Sequence, residues 1–600
     1  MRKFKTALLS TAALLTAAAV VASNPVAAES IQSSLNQLIN SIDNAAAGKS
    51  GKQAATNPNS LPTKTPIKHL VVVFNENRSF DHYFGTYPNA LNPEGEPVFE
   101  PAKNTQRDIN NLLTSTMLLD NNPNLNPANG TGASNPFRLD RTQANTADQN
   151  HGYTPEQLAF DGGKLDLFPA STGSGTKGGA GAFGTTGQVM GFFDGNTVTG
   201  LWNYAQNFAM SDNSWSDTFG PSTPGALEMF SGQTNGATFP GVPKGTTPAQ
   251  IAALLVAGDA GVLNSDGSFT LFGDVDPFGD VCSSPSAQVQ MTSKNIGDLL
   301  NAADIPWGSF VGGFNLQTIN DNGSTGCGRS SVSAVTGGAH GDYVPHHIWF
   351  QYFVSTANPS HARPTSTKAI GFTTVPGSKT VDPANHAYDL EDFFTAVGSG
   401  TYPAVSFIKM QSFQDDHPGN SNPLDAQTGL VNLVNFLQQQ PDWDSTAVIL
   451  AYDDSDGWYD HAFLPPTHGS FAAVAIPGTG TPGIDIDALN GNGNCGTVAQ
   501  TPVAPGLSGQ PVNGRCGPGM RQPFMVISPF AKKNYVSHVL ITQASIPQFI
   551  EDNWLKGERL GGGSFDATTG SIMDMFDFNQ TKTRKLILDP TFGTVDSKSN

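Results

Sequence analysis

The chain has 600 residues, 38% of them hydrophobic and 37 of them phenylalanine, enough to bury a large core, which excludes wholesale disorder. Asp and Glu number 50 against 31 Lys and Arg, a formal charge of −19, which excludes a partner bound through a nucleic-acid backbone. Gly and Pro together supply 107 residues, so much of the chain is turn and loop.

In chain order, Arg2, Lys3 and Lys5 precede an apolar run of small side chains over 7–22, and Val26-Ala27-Ala28 offers a cleavage site. This reads as a secretory signal over 1–28, and the expected location is secreted or periplasmic. Residues 29–65 read as a polar linker with a short helix over 31–42. Residues 67–74 form a nearly continuous apolar run, the pattern of a strand buried on both faces. Trp307–Val311, 404–408, Thr446–Tyr452 and Phe524–Ile527 are further strand candidates.

Leu390, Phe393, Phe394 and Val397 repeat at helical spacing up to Gly398, and a second helix is expected over 430–440, stopped by Pro441. Ser545-Ile546-Pro547-Gln548 resembles a capping box opening a helix over 549–555. Strands alternating with helices predict an α/β fold with parallel neighbours. Residues 100–190 and 465–520, rich in Asn, Gly and Pro, read as long loop insertions. No apolar stretch in the body is long enough to predict stable membrane insertion. The four cysteines fit two disulfides, with Cys282–Cys327 and Cys495–Cys516 favoured because each closes a local loop.

Ligands of open α/β sheets bind beyond the carboxyl ends of the strands. The first strand runs into Asn75-Glu76-Asn77 and the 446–452 strand into Asp453-Asp454. Adjacent carboxylates there repel and lose hydration, which a divalent cation relieves; alternatively they open a turn with Ser455-Asp456-Gly457. Ser222-Thr223-Pro224 reads as a helix N-cap with Pro at N1. Ser222 is then either a plain cap or a metal-activated nucleophile beside a helix N-terminus that favours a phosphoryl group. His151, His346, His347 and His417 lie in polar loops, where they suit phosphoryl binding and protonation of a leaving alkoxide. Gly173–Gly178 matches GxGxxG by letter but follows no strand, and neither GxSxG nor HExxH occurs.

The string Asn75-Glu76-Asn77-Arg78-Ser79-Phe80-Asp81-His82-Tyr83-Phe84-Gly85 resembles the signature of the bacterial phosphoesterase family, which contains phosphatidylcholine-type phospholipases C and acid phosphatases related to alkaline phosphatases. The resemblance continues through Met190-Gly191-Phe192-Phe193, Phe219–Pro224, His346-His347, Asp415-Asp416-His417-Pro418, Asp453–His461, Ile527-Ser528-Pro529-Phe530 and Phe549-Ile550-Glu551. It implies a catalytic domain over 66–556, a C-terminal extension over 557–600, and an alkaline-phosphatase-like three-layer sandwich with a central, mostly parallel β-sheet flanked by helices. It also implies one divalent metal ion held by Glu76, Asn77, Ser222, Asp453 and Asp454. Ser222 would be the nucleophile, and His151, His346, His347 and His417 would line the phosphate pocket.

Two departures stand out. Ser455 replaces a glycine of the family motif, and Thr542-Gln543-Ala544-Ser545 stands where the family has Asp-His-Thr-Ser. The expected function is a secreted metal-dependent phosphoesterase of acid-phosphatase type. Ser at position 222 looks more like that branch, and the stretch after the last motif is too short for one β-sandwich. The alternatives are a phospholipase C, with Phe192, Phe193, Trp202 and Trp215 as an apolar rim for a phospholipid, and a non-catalytic secreted binding protein.

Overall fold

The computed structural model describes residues 57–285, 288–474, 484–580 and 584–596. The signal expected over 1–28, the helix over 31–42 and most of the linker lie outside the described residues. The linker's end at Lys64 and Thr65 is hydrogen-bonded to Asn553.

The central sheet has eight strands: β1 (His69–Asn75), β2 (Ala209–Ser211), β3 (Trp307–Val311), β4 (Ala387–Asp389), β5 (Val405–Lys409), β6 (Thr446–Tyr452), β7 (Phe524–Ile527) and β8 (Tyr535–Ser537). Their order is β4-β3-β5-β1-β6-β7-β2-β8. All neighbours pair in parallel except β7, which runs antiparallel to β6 and β2. β1 and β6 are buried at every position, which accounts for their unbroken apolar sequence. All five expected strands form, two of them shifted by one or two residues at their ends. β2, β4 and β8 were not legible, because three residues carry too little periodicity.

Six helices matter to the site: α1 (Phe80–Phe84), α2 (Thr199–Asn207), α3 (Ser222–Ser231), α4 (Leu390–Gly398), α5 (Pro423–Gln438) and α6 (Ser545–Trp554). α3 packs against α6 and α5 against α2, so helices flank the sheet in separate layers. The fold is α/β, a large, mostly parallel sheet with flanking helices, as expected.

Three helix starts differ from the sequence reading. α5 begins seven residues before position 430, because Asn422 accepts from the backbone N–H groups of Leu424 and Asp425 and Pro423 opens the first turn. α6 has no capping box: Ala544 is its N-cap, and the Ser545 hydroxyl donates to the Gly570 carbonyl instead. α3 starts at Ser222 itself after Pro221, with no side-chain cap, so Pro224 falls at the third position rather than the first.

Both expected disulfides, Cys282–Cys327 and Cys495–Cys516, are present. Phe192, Phe193, Trp202 and Trp215 are all buried in the core rather than forming a rim. Trp202, for example, donates its indole N–H to the Tyr83 carbonyl and packs on Tyr87 and Phe99. Apolar composition alone does not distinguish a core position from an exposed rim.

Candidate active site

Because β5, β1 and β6 are parallel neighbours, their carboxyl ends fall side by side, and Lys409, Glu76 and Asp453 converge there. The turns beyond them are held in unusual backbone geometry. Asn77, Asp416 and Asp456 have φ values of 57°, 86° and 55°, a left-handed conformation that Asn and Asp tolerate better than most residues. The N-terminus of α3 closes the site from the side. Its approach requires Gly225, since a Cβ there would lie 2.1 Å from the Asp453 carbonyl oxygen.

Ser222 Oγ lies 3.0 Å from Glu76 Oε2 and 3.1 Å from Asp454 Oδ2, and all three residues are buried. A hydroxyl has one proton to donate, so two carboxylates against one serine oxygen can both be ionised only beside a further positive charge. Asn77 donates its backbone N–H to Asp453 Oδ1 at 3.0 Å. Asn77 Oδ1 and Asp453 Oδ2 are buried and have no hydrogen-bond partner. A cluster of oxygen donors with two orphaned acceptors suits a hard divalent cation, so the residues present fit the metal the resemblance implies.

The histidines gather around this cluster. The Asn77 side-chain amide is 3.3 Å from His151 Nε2 and 3.4 Å from His417 Nε2. The Nδ1 of each ring faces a backbone carbonyl, Gln149 at 2.8 Å and Pro418 at 2.7 Å, which holds the ring and turns Nε2 into the site. His347 Nδ1 lies 3.1 Å from Glu76 Oε1. His346 stands at the mouth, about a third exposed, with Asp276 3.5 Å from its Nδ1. Every residue expected at the site is therefore brought to it.

Burial works against a charge on His151, but Asp454, Asp456 and Asp148 outweigh it and hold its pKa well above the ordinary imidazole value. His346 is raised in the same way by Asp274 and Asp276. Burial, with the neighbouring histidines adding to it, drives His347 well below that value, and burial also lowers His417. Burial pushes Asp454 and Asp456 well above the carboxylate range, with Asp453 adding to the first and Asp148 to the second.

Sequence reasoning missed Lys409, Asp415, Asp456 and Glu156. Lys409 is buried and ion-paired with Glu76. It closes an apolar strand, the same signal that drew attention to Glu76 and Asp453, but only oxygen ligands were sought there. Asp456 accepts from the Gln149 and Asn77 amides and so ties the His151 loop to the site. Glu156 accepts from Gly220 N at 3.0 Å and Ser455 Oγ at 2.8 Å, joining the loop before α3 to the loop after β6.

Burial pushes Glu156 up to about 7 from an ordinary 4.5. Its raised pKa favours folding fully below the unfolded value, and that contribution disappears as pH rises through 7. Glu156→Gln is therefore expected to resist denaturant better than wild type by about 1–3 kcal/mol at pH 8 and by little at pH 5. Denaturant midpoints at the two pH values check this, and an equal difference at both would contradict it.

His82 and His461 are structural. His82 faces the Gly191 carbonyl at 2.7 Å and stacks on Trp458, while His461 Nδ1 is 2.5 Å from Asp81.

A model of the Phosphoesterase family matches residues 67–555. The chain is 23% identical over 480 residues to phospholipase C A of Mycobacterium tuberculosis, covering 78% of this chain and 69% of that one. It is 22% identical over 493 residues to the non-hemolytic phospholipase C of Pseudomonas aeruginosa, covering 81% of this chain and 54% of that one. Among solved structures, a protein in the alkaline phosphatase superfamily from Vibrio parahaemolyticus is matched over 78% of this chain and 82% of that one, at 11% identity and a TM-score of 0.26.

Proposed function

The chain belongs to the phosphoesterase family and is a hydrolase of phosphoric ester bonds, and from that premise we propose that it cleaves phosphomonoesters through a nucleophilic Ser222. The observation that carries this reading is the placement of the Ser222 hydroxyl between Glu76 and Asp454 at the start of α3, with the Nε2 atoms of His151 and His417 gathered at the neighbouring Asn77 side chain.

Glu76, Asn77, Ser222, Asp453 and Asp454 would hold a divalent ion. When bound, the ion neutralises charge on the phosphoryl group and lowers the pKa of the serine hydroxyl. Ser222 passes its proton to Glu76 Oε2, which already accepts it, Oγ attacks phosphorus, the bond to the leaving oxygen breaks, and a phosphoserine forms. His151, kept protonated by its aspartates, gives the leaving alkoxide its proton. Water then attacks the phosphoserine, His151 recovers a proton from it, the bond to Ser222 breaks with the proton on Glu76 returning to Oγ, and inorganic phosphate leaves. His417 and His347 line the phosphoryl pocket, and His346 guards the mouth.

The preference for a monoester rests on the aromatic residues suited to a lipid rim, Phe192, Phe193, Trp202 and Trp215, which are all buried. A second reading, phospholipase C, is favoured by the names of the relatives. A non-catalytic binding protein is the third. We read residues 1–28 as a signal peptide, 29–65 as a linker, 66–556 as the catalytic domain and 557–600 as an extension, and place the protein outside the cytoplasm. Its two disulfides support that location. No helix among the described residues is long and apolar enough to cross a membrane.

The test is turnover of a chromogenic phosphomonoester and of a phosphocholine diester by the purified protein between pH 5 and 8, before and after chelation. Monoester turnover is expected, falling at least about 10³-fold on metal removal and returning with a divalent ion. Turnover of the diester alone moves the assignment to phospholipase C. Silence on both, with metals supplied, overturns the catalytic reading.

A further inference from the structure

The oxygen cluster holds more ligands than one ion needs. Glu76, His347 and His417 each offer an atom within 4.8 Å of the others, spacing suited to a metal ion. His347 Nδ1 is 3.1 Å from Glu76 Oε1 and 3.8 Å from Asp415 Oδ2, on the side of Glu76 away from Ser222. Beside this group lies a cavity of about 10 Å³ lined by His347, Lys409, Ser412 and Asp415, room for one small sphere.

That side already contains a positive charge. Lys409 Nζ is paired with Glu76 Oε1 and stands 4.0 Å from Asp453 Oδ2, a buried carboxylate oxygen that makes no hydrogen bond. The strand register leaves the ammonium little freedom to be elsewhere. Lys409 ends β5 with its neighbours β1 and β3 paired on either side, and its side chain is 3% exposed.

We infer that Lys409 is the second cation of a one-metal site: its ammonium occupies the place of a second ion, holds Glu76 Oε1, and leaves Glu76 Oε2 to face Ser222. Lys409 is thus a positioning residue that acts through Glu76. An ammonium neutralises one charge without demanding a coordination shell, so the opposing carboxylate is fixed but not consumed as a bidentate ligand. The inference rests on the metal-site reading above and adds to it the residue that keeps the site at one ion.

The test is metal content rather than rate. The purified full-length protein is equilibrated with excess Mn²⁺ or Zn²⁺, each alone, freed of unbound ion and analysed for metal per chain. Wild type is expected to hold one ion. Lys409→Gln and Lys409→Met are each expected to hold two, because Glu76 Oε1, His347 and Asp415 are then free to bind the second. Two ions in wild type overturn the inference without need of any variant, so it stays falsifiable even if both variants fail to fold. Folded variants that stay at one ion also overturn it. No ion in wild type defeats the metal-site reading itself, and the two failures are thereby told apart.

Discussion

Replacing Ser222 with alanine is expected to lower kcat for phosphate-ester hydrolysis by about 10⁴-fold or more, the scale seen when a covalent nucleophile is removed. The loss follows from what the hydroxyl touches. It is buried, it contacts two carboxylates, and among the described residues no other hydroxyl lies between Glu76 and Asp454. The variant should fold, because Ser222 caps no backbone group and alanine suits the first turn of a helix. Steady-state rates on a phosphomonoester, with circular dichroism to confirm folding, check the expectation. A folded variant within tenfold of wild type would exclude Ser222 as nucleophile.

The second large effect is on stability. Arg521 is fully buried and bridges Asp81 and Asp460, the latter through Nε at 3.1 and 3.2 Å. Its other donors go to the carbonyls of Asn110 and Asp212, and it lies over the Phe80 ring at 4.3 Å. Asp81 belongs to α1, just beyond the Glu76-Asn77 turn that follows β1, and Asp460 to the loop after β6. Arg521→Met leaves Asp460 buried without its cation and Asp81 with His461 alone, and is expected to cost about 3–5 kcal/mol. The denaturant midpoint is the measurement, and a change under about 1 kcal/mol would show that the pair does not clamp the loops. Arg521→Lys keeps the charge but not the fork, so it should recover only part of the loss.

This clamp shows why parts of the family string were legible without being understood. Glu76 and Asn77 stood out because they follow a buried apolar strand. Arg78, Ser79, Asp81 and His82 carried the resemblance equally, yet the structure uses them to fasten loops: Arg78 to Asp416, Ser79 to the Tyr459 carbonyl and Asp81 to His461 and Arg521.

The long central strands were readable because burial on both faces leaves an unbroken apolar run. The short strands β2, β4 and β8 and the start of α5 were not, because three residues, or a first turn of mixed polarity after Asn422, give no clear period. The histidines lie in irregular loops, so no periodicity announced them, and only the resemblance brought them to one place. Glu156 needed coordinates, since it joins two loops far apart in the chain, whereas Lys409 stood at a legible strand end and only its pairing with Glu76 was hidden.

Gly225 sets how the catalytic centre can respond to a substrate. With no side chain between them, the first turn of α3 rests directly on the backbone of Asp453, so the serine and the carboxylates opposite it have no room to slide past one another. The centre is a rigid anvil. Accommodation of different alcohol groups must then come from the loops that carry His151 and His346, so substitutions that broaden the substrate range should collect there and spare the helix.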